Sequence, residues 1–142
     1  MKARDIMTKN PRTVTPDTRM PDAARLMQTE DVGILPVVDG GSSKKLIGVV
    51  TDRDIAMRCV AQGHDSSKCS VKEAMSSGVR TCREDEDIDA VMKVMGAEQV
   101  RRIPIVDERG ELVGIVAQAD IVKRADDKKA ERTVEKTSQP GR

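Results

Sequence analysis

Apolar and polar positions follow two periods along this chain, and each change of period marks an element. Residues 46–50 (Leu-Ile-Gly-Val-Val) are apolar apart from glycine and rich in β-branched side chains, the pattern of a short buried strand. Thr51 ends the run. From Asp52 the spacing turns helical, with Ile55, Ala56, Cys59 and Val60 as apolar positions, as far as Gln62 and Gly63, where glycine suits a helix C-terminus. Upstream, residues 34–39 carry a second strand pattern, joined to the first through a Gly-Gly-Ser-Ser loop. A helix is predicted from a cap at Asp17 or Thr18 through about Glu30, with Met20, Ala23, Ala24 and Met27 on one face. A brief extended segment at 12–15 precedes it. Residues 3–8 form a short helical turn, broken by Asn10 and Pro11.

The whole series then recurs. Leu112, Gly114, Val116, Asp120 and Ile121 stand as Leu46, Gly48, Val50, Asp54 and Ile55 do, and Met75, Asp85 and Met95 repeat Met7, Asp17 and Met27. Residues 101–107 repeat 33–39 around a shared proline and a shared aspartate. The second hairpin is two residues shorter, and the difference falls in the loop between Asp39 and Leu46. An insertion confined to a loop is what duplication of a folded unit leaves behind. In the second copy the amphipathic helix spans 88–99 with Val91, Met92 and Met95 inward, followed by strands at 103–107 and 112–116 and a last helix from Asp120. The copies are therefore 1–63 and 71–124, joined by a polar connector at 64–70. The stretch at 125–142 reads as a charged tail, a frayed helical extension that runs into disorder.

Composition narrows the classes of function. A chain of 142 residues suits one domain made of two half-size units, each too small to stand without burying a face on the other. With no Phe, Tyr or Trp, the core rests on Val, Ile, Leu, Met and Ala, and stacking of nucleic-acid bases on aromatic rings is excluded. A net charge of +1 exerts no general pull on nucleic acid or membrane. There is no apolar run of leader or membrane-spanning length, and three cysteines form an odd set, so reduced thiols and a cytoplasmic location are expected.

The chemistry gathers at the strand-to-helix junctions. Each sets a carboxylate, Asp54 or Asp120, beside backbone N–H groups that have no partner within the helix. The first copy adds a hydroxyl, Thr51, three residues before its aspartate, where the second has Ala117. From these residues alone Thr51 and Asp54 suit a helix-capping box as well as a ligand site. Cys59, His64 and Cys69 are spaced so that zinc, completed by Cys82 or water, or disulfide chemistry is open to them. A lone histidine, with no nucleophile–base pair and no phosphate-loop motif, argues against an enzyme. Met20, Met27, Met92 and Met95 read as core filling.

Taken together, Ala3-Arg4-Asp5-Ile6-Met7-Thr8, Val14-Thr15-Pro16-Asp17, the run from Ile34 to Asp39, and Gly48-Val49-Val50-Thr51-Asp52-Arg53-Asp54 resemble a tandem cystathionine-β-synthase (CBS) domain pair, a Bateman module, over residues 2–124. The chain is also similar to the small hypoxic-response CBS proteins. The resemblance implies an α/β (α+β) fold of two pseudo-symmetric β-α-β-β-α repeats with two clefts for adenosine-containing ligands. In that family a Gly-x-x-Thr/Ser-x-x-Asp pattern supplies ribose and phosphate contacts. Carried across, the first cleft would use Val49, Thr51, Arg53 and Asp54 with Gly78, Val79, Arg80, Val100, Arg101 and Arg102. The second would use Ile115, Ala117, Ala119 and Asp120 with Pro11, Arg12, Val32, Gly33 and Ile34.

The first cleft, with its hydroxyl and guanidinium groups, is the stronger expectation for AMP, ADP, ATP, NAD or another adenosyl effector. A homodimer and a regulated protein target are expected; a metal, nucleic acid or membrane is not. Two other readings stand beside this one: a metal- or redox-responsive sensor built on Cys59, His64 and Cys69, and a dimeric interaction scaffold with vestigial clefts.

Overall fold

Strand-forming runs and helical runs fall where the periodicity puts them, in two interlocked copies. The computed structural model describes residues 1–138. The first copy contains α1 (Ala3–Ile6), β1 (Thr8–Lys9), α2 (Met20–Glu30), β2 (Ile34–Val38), β3 (Leu46–Thr51) and α3 (Asp52–Ile55), which continues as a π-helical turn over Ala56–Val60. Short 3-10 turns at Ser66–Lys68 and Val71–Glu73 follow. The second copy contains β4 (Ser76–Ser77), β5 (Cys82–Arg83), α4 (Ile88–Glu98), β6 (Arg102–Val106), β7 (Leu112–Ala117) and α5 (Gln118–Ser138).

The two hairpins, β2–β3 and β6–β7, are antiparallel and share the same irregularity, between Val37 and Val38 in one and Ile105 and Val106 in the other. They meet near the pseudo-two-fold axis. There Leu46 N–H donates to the Gly110 carbonyl at 3.2 Å, and Leu112 N–H to the Lys44 carbonyl at 2.8 Å.

Each copy lends its first segment to the other. β1 pairs with β7 (Thr8 with Ile115, Lys9 with Gly114), and β4, its counterpart, pairs with β3 (Gly48 with Ser77, Val49 with Ser76). The side chains follow the backbone. Ala3, Ile6 and Met7 pack into the core of Cys82, Val91, Met95, Ile103, Ile105, Val116 and Ile121, while Val71, Ala74 and Met75 pack into that of Val14, Met20, Met27, Leu35, Val37, Val50 and Cys59. Gly48 and Gly114 make this possible: a Cβ on Gly48 would collide with the Ser76 carbonyl, and one on Gly114 would lie 2.6 Å from Met7 Sδ and 2.8 Å from the Thr8 carbonyl.

Several expectations are corrected. Helix α2 starts at Met20, with Arg19 rather than Asp17 or Thr18 at the cap position, because the Thr18 hydroxyl instead accepts the Thr15 N–H at 3.0 Å. Met92 points outward and is 47% exposed, since Val91 and Met95, four residues apart, already cover the sheet and Met92 lies a helical step away. Val60, 64% exposed, is likewise no part of the core, and Ala24 is exposed. Where a frayed helical extension running into a disordered tail is expected, the backbone is helical through Ser138; residues 139–142 of that tail lie outside the described residues.

Candidate functional site

The junction between β7 and α5 forms one wall of a cavity of about 350 Å³. Ile115, Ala117, Ala119 and Asp120 come from that junction, and Arg102 joins them because it stands opposite Ala117 in the β6–β7 register. The facing wall belongs to the first copy: Thr8, Pro11 and Arg12, carried there by the pairing of β1 with β7, then Glu30 at the end of α2, and Val32, Ile34, Leu35 and Pro36 leading into the hairpin. Arg12 pairs with Glu30 at 3.7 Å. Asp120 has no hydrogen bond or ion pair to its carboxylate among the described residues, although it is half-buried and lines the cavity.

This composite of a junction and the other copy's lead-in is the arrangement expected for the second cleft. Every residue assigned to that cleft lines the cavity except Gly33. Gly33 serves the other junction: its carbonyl accepts the Asp52 N–H at 2.9 Å, just as the Arg101 carbonyl accepts the Gln118 N–H at 2.8 Å.

At the β3–α3 junction, Asp54 N–H donates to Thr51 Oγ1 at 2.9 Å and Thr51 N–H donates to Asp54 Oδ2 at 3.0 Å. The residue pair whose roles were open in the sequence thus forms a complete capping box. Val49 is buried in the sheet, Arg53 and Arg80 are exposed, Val79 is half-buried, and Gly78 adopts a left-handed φ of 66°. Arg102 lines the Asp120 cavity, and Arg101 and Arg102 share an adjoining open groove with Gln118, Val122, Lys123, Asp126 and Asp127; Thr51, Arg53 and Asp54 line neither. Val100 and Arg101 also border a shallow depression with Met92 and Gln99.

Glu30, Thr8, Leu35 and Pro36 also line the cavity, and the motif did not point to them. Thr8 was legible in principle, since the lead-in repeats, but Glu30 reaches the site only through the tertiary path of α2. Among the described residues no cluster of three or more His, Cys, Asp or Glu side chains is arranged to hold a metal. Cys59 and Cys69 do meet, Sγ to Sγ at 3.4 Å, without His64 completing a set. Cys82 is buried in the second core, where burial first and the Glu86 carboxylate second push its thiol up to about 12. Among the described residues no helix is long and apolar enough to cross a membrane.

The family model for the CBS domain matches twice, over residues 3–60 and 71–127. The CBS domain-containing protein YhcV of Bacillus subtilis is 41% identical over 118 residues, which span 83% of this chain and 81% of that protein. Two solved structures superpose with a TM-score of 0.78. One is Hypoxic Response Protein I with two coordinated zinc ions, 33% identical and covering 87% of this chain and 98% of that one. The other is the CBS domain pair of protein MJ0100 in complex with 5′-methylthioadenosine and S-adenosyl-L-methionine, 32% identical and covering 90% and 98%.

Proposed function

The chain belongs to the CBS-domain family as a tandem pair, and from that premise we propose that it is a regulatory module whose Asp120 cavity binds an adenosine-containing effector. The observation that carries this reading is the unspent Asp120 carboxylate at the edge of an apolar slot. Val32, Ile34, Leu35, Pro36 and Ile115 suit a flat purine, a carboxylate suits the paired hydroxyls of a ribose, and Arg12 and Arg102 suit a phosphate or carboxylate beyond it. The adenosyl ligands in the MJ0100 domain pair support the same chemical class.

Sequence alone favours the Thr51 cleft for its hydroxyl. We assign the main site to Asp120 instead, because Thr51 and Asp54 satisfy one another while Asp120 has nothing to give up on binding. The Thr51 junction, with Val49, Arg53, Gly78, Val79, Arg80, Val100 and Arg101 around it, is the secondary site, filled when ligand contacts replace the capping box. Either ligand would touch both copies and so report on their relative placement. It signals only to the extent that it binds one placement better than another. A second copy of the chain and a regulated protein, both in the cytoplasm, complete the reading.

Thermal denaturation with millimolar AMP, ADP, ATP, NAD and S-adenosylmethionine, alongside their guanosine counterparts where these exist, is the test. A rise in melting temperature confined to adenosine compounds is expected. No rise with any of them would remove the proposal.

A further inference from the structure

We propose that Cys59 and Cys69 form a reversible thiol–disulfide pair, oxidised by hydroperoxides, that fastens the first copy's last helix to the connector between the copies. Both thiols are buried, at 1% and 6% exposure, and Cys59 S–H donates to Cys69 Sγ at 3.4 Å. Cys69 in turn donates to the Asp65 carbonyl at 3.4 Å. A disulfide brings sulfurs to about 2.05 Å, so closure asks for a shift on the order of 1.4 Å. The segment between them can supply it, since residues 61–68 are all exposed and have little packing to lose.

Local backbone geometry sets the pair up. The π-helical turn, with Ala61 N–H bonded to the Ala56 carbonyl and His64 N–H to the Cys59 carbonyl, exists only in the first copy; its counterpart in α5 is an ordinary helix. Such turns concentrate at functional positions. Cys82 shows the contrast. It occupies the place in the second copy that Val14 holds in the first and behaves as a small apolar filler without a thiol neighbour.

The chemistry balances with a peroxide as the oxidant. Cys69, the more exposed thiol, attacks the O–O bond of hydrogen peroxide and becomes a sulfenic acid, releasing one water. Cys59 Sγ then attacks that sulfur, the S–S bond forms, the S–O bond breaks, and the hydroxyl leaves with the Cys59 proton as a second water. Two thiols lose two electrons and the peroxide gains them. The Glu73 carboxylate beside Cys69, with burial, pushes that thiol up to about 12 and keeps it protonated at neutral pH. Attack therefore runs through a small thiolate fraction and is slow.

The cross-link would act on a second fastening already present. Arg58, next to Cys59, donates to the carbonyls of Ala74 at 2.9 Å and Met75 at 3.1 Å and to Ser76 Oγ at 3.2 Å, at the start of β4. Tying Cys59 to Cys69 adds a covalent link between the same two segments, on the side that carries β4 to β3 and the Thr51 junction.

Trypsin separates the three cysteines, into peptides 59–68, 69–72 and 81–83. The full chain is treated with hydrogen peroxide, alkylated in denaturant, digested and mapped without reductant, and amide hydrogen exchange is followed on oxidised and reduced samples. The expected result is a 59–68/69–72 cross-link undone by dithiothreitol, peptide 81–83 still alkylated, and exchange slowed at least threefold over 70–77 but unchanged over 8–12. Cross-linking to Cys82, sulfinic acid on Cys69 with Cys59 still free, or a disulfide that leaves exchange over 70–77 unaltered would each overturn the proposal.

Discussion

Thr51 and Asp54 hold each other through reciprocal hydrogen bonds of 2.9 and 3.0 Å, so the first junction closes on itself. Their counterparts cannot: Ala117 has no hydroxyl, and Asp120 has no partner for its carboxylate among the described residues, beside the cavity. One missing oxygen separates a capped helix from an open acceptor. Thr51→Ala should cost about 1 kcal/mol, the usual worth of an N-cap side chain. That is a fall of about 2–4 °C in melting temperature for a chain of this size. Thr51→Ser, which keeps the oxygen, should melt close to the parent, and an equal loss in both variants would show that the methyl rather than the cap matters.

Ligand affinity should divide the two aspartates the other way. Asp120→Ala removes a charged acceptor and should weaken binding of the best adenosyl compound by about 1.5–3 kcal/mol, roughly tenfold to a hundredfold. Asp54→Ala should change affinity less than about threefold, on the order of 0.7 kcal/mol, while lowering stability. Calorimetric titration of both variants decides it. A larger affinity loss at Asp54 would return the main site to the Thr51 cleft.

The exchanged lead-in segments rest on two glycines. Gly48→Ala and Gly114→Ala should each lose on the order of 1–3 kcal/mol in urea denaturation, because the new methyl meets backbone that cannot withdraw. Gly96 in α4 is the control: a Cβ there meets nothing within 4 Å, and alanine should stabilise the helix by up to about 1 kcal/mol.

Cys82 makes stability fall at high pH. Its thiol is raised from 9.0 to about 12, so the folded state keeps a proton that the unfolded chain releases. Its contribution is complete below pH 9.0 and is lost as pH rises toward 12. Urea midpoints measured from pH 8 to 11 should decline, and less steeply in Cys82→Val, which matches Val14 of the first copy. Equal slopes would assign the decline to other groups.

Met57, Val60, Met92 and Val122 leave apolar side chains in solvent on the helices of both copies, faces that a second copy would cover. We expect a dimer by light scattering at tens of micromolar, a concentration range of the order used for obligate dimers. Met92→Glu and Val60→Glu together should shift it to monomer with the fold intact by circular dichroism. A parent that is already monomeric would end this expectation.

Local order is what the chain writes most plainly. The repeat, the hairpins and the position of each junction were legible because strand and helix periods are properties of neighbouring residues. Leu46–Thr51 ends where the β-branched run gives way to Asp52. The composite make-up of the Asp120 cleft was legible too, because the family resemblance supplied the partner segment. Other features depended on where surfaces meet. Nothing near Arg102 in sequence says that it faces Ala117 across a hairpin and lines the Asp120 cavity; the strand register decides that. Nothing near Met92 says that Val91 and Met95 exhaust the sheet it might have covered. The exchange of β1 and β4 between copies, the meeting of Cys59 with Cys69, and the arrival of Glu30 at the site are of the same kind. A side chain's local preference is set within a few residues, but its partners are chosen by packing among segments far apart in sequence, and that choice is made only when the whole core closes.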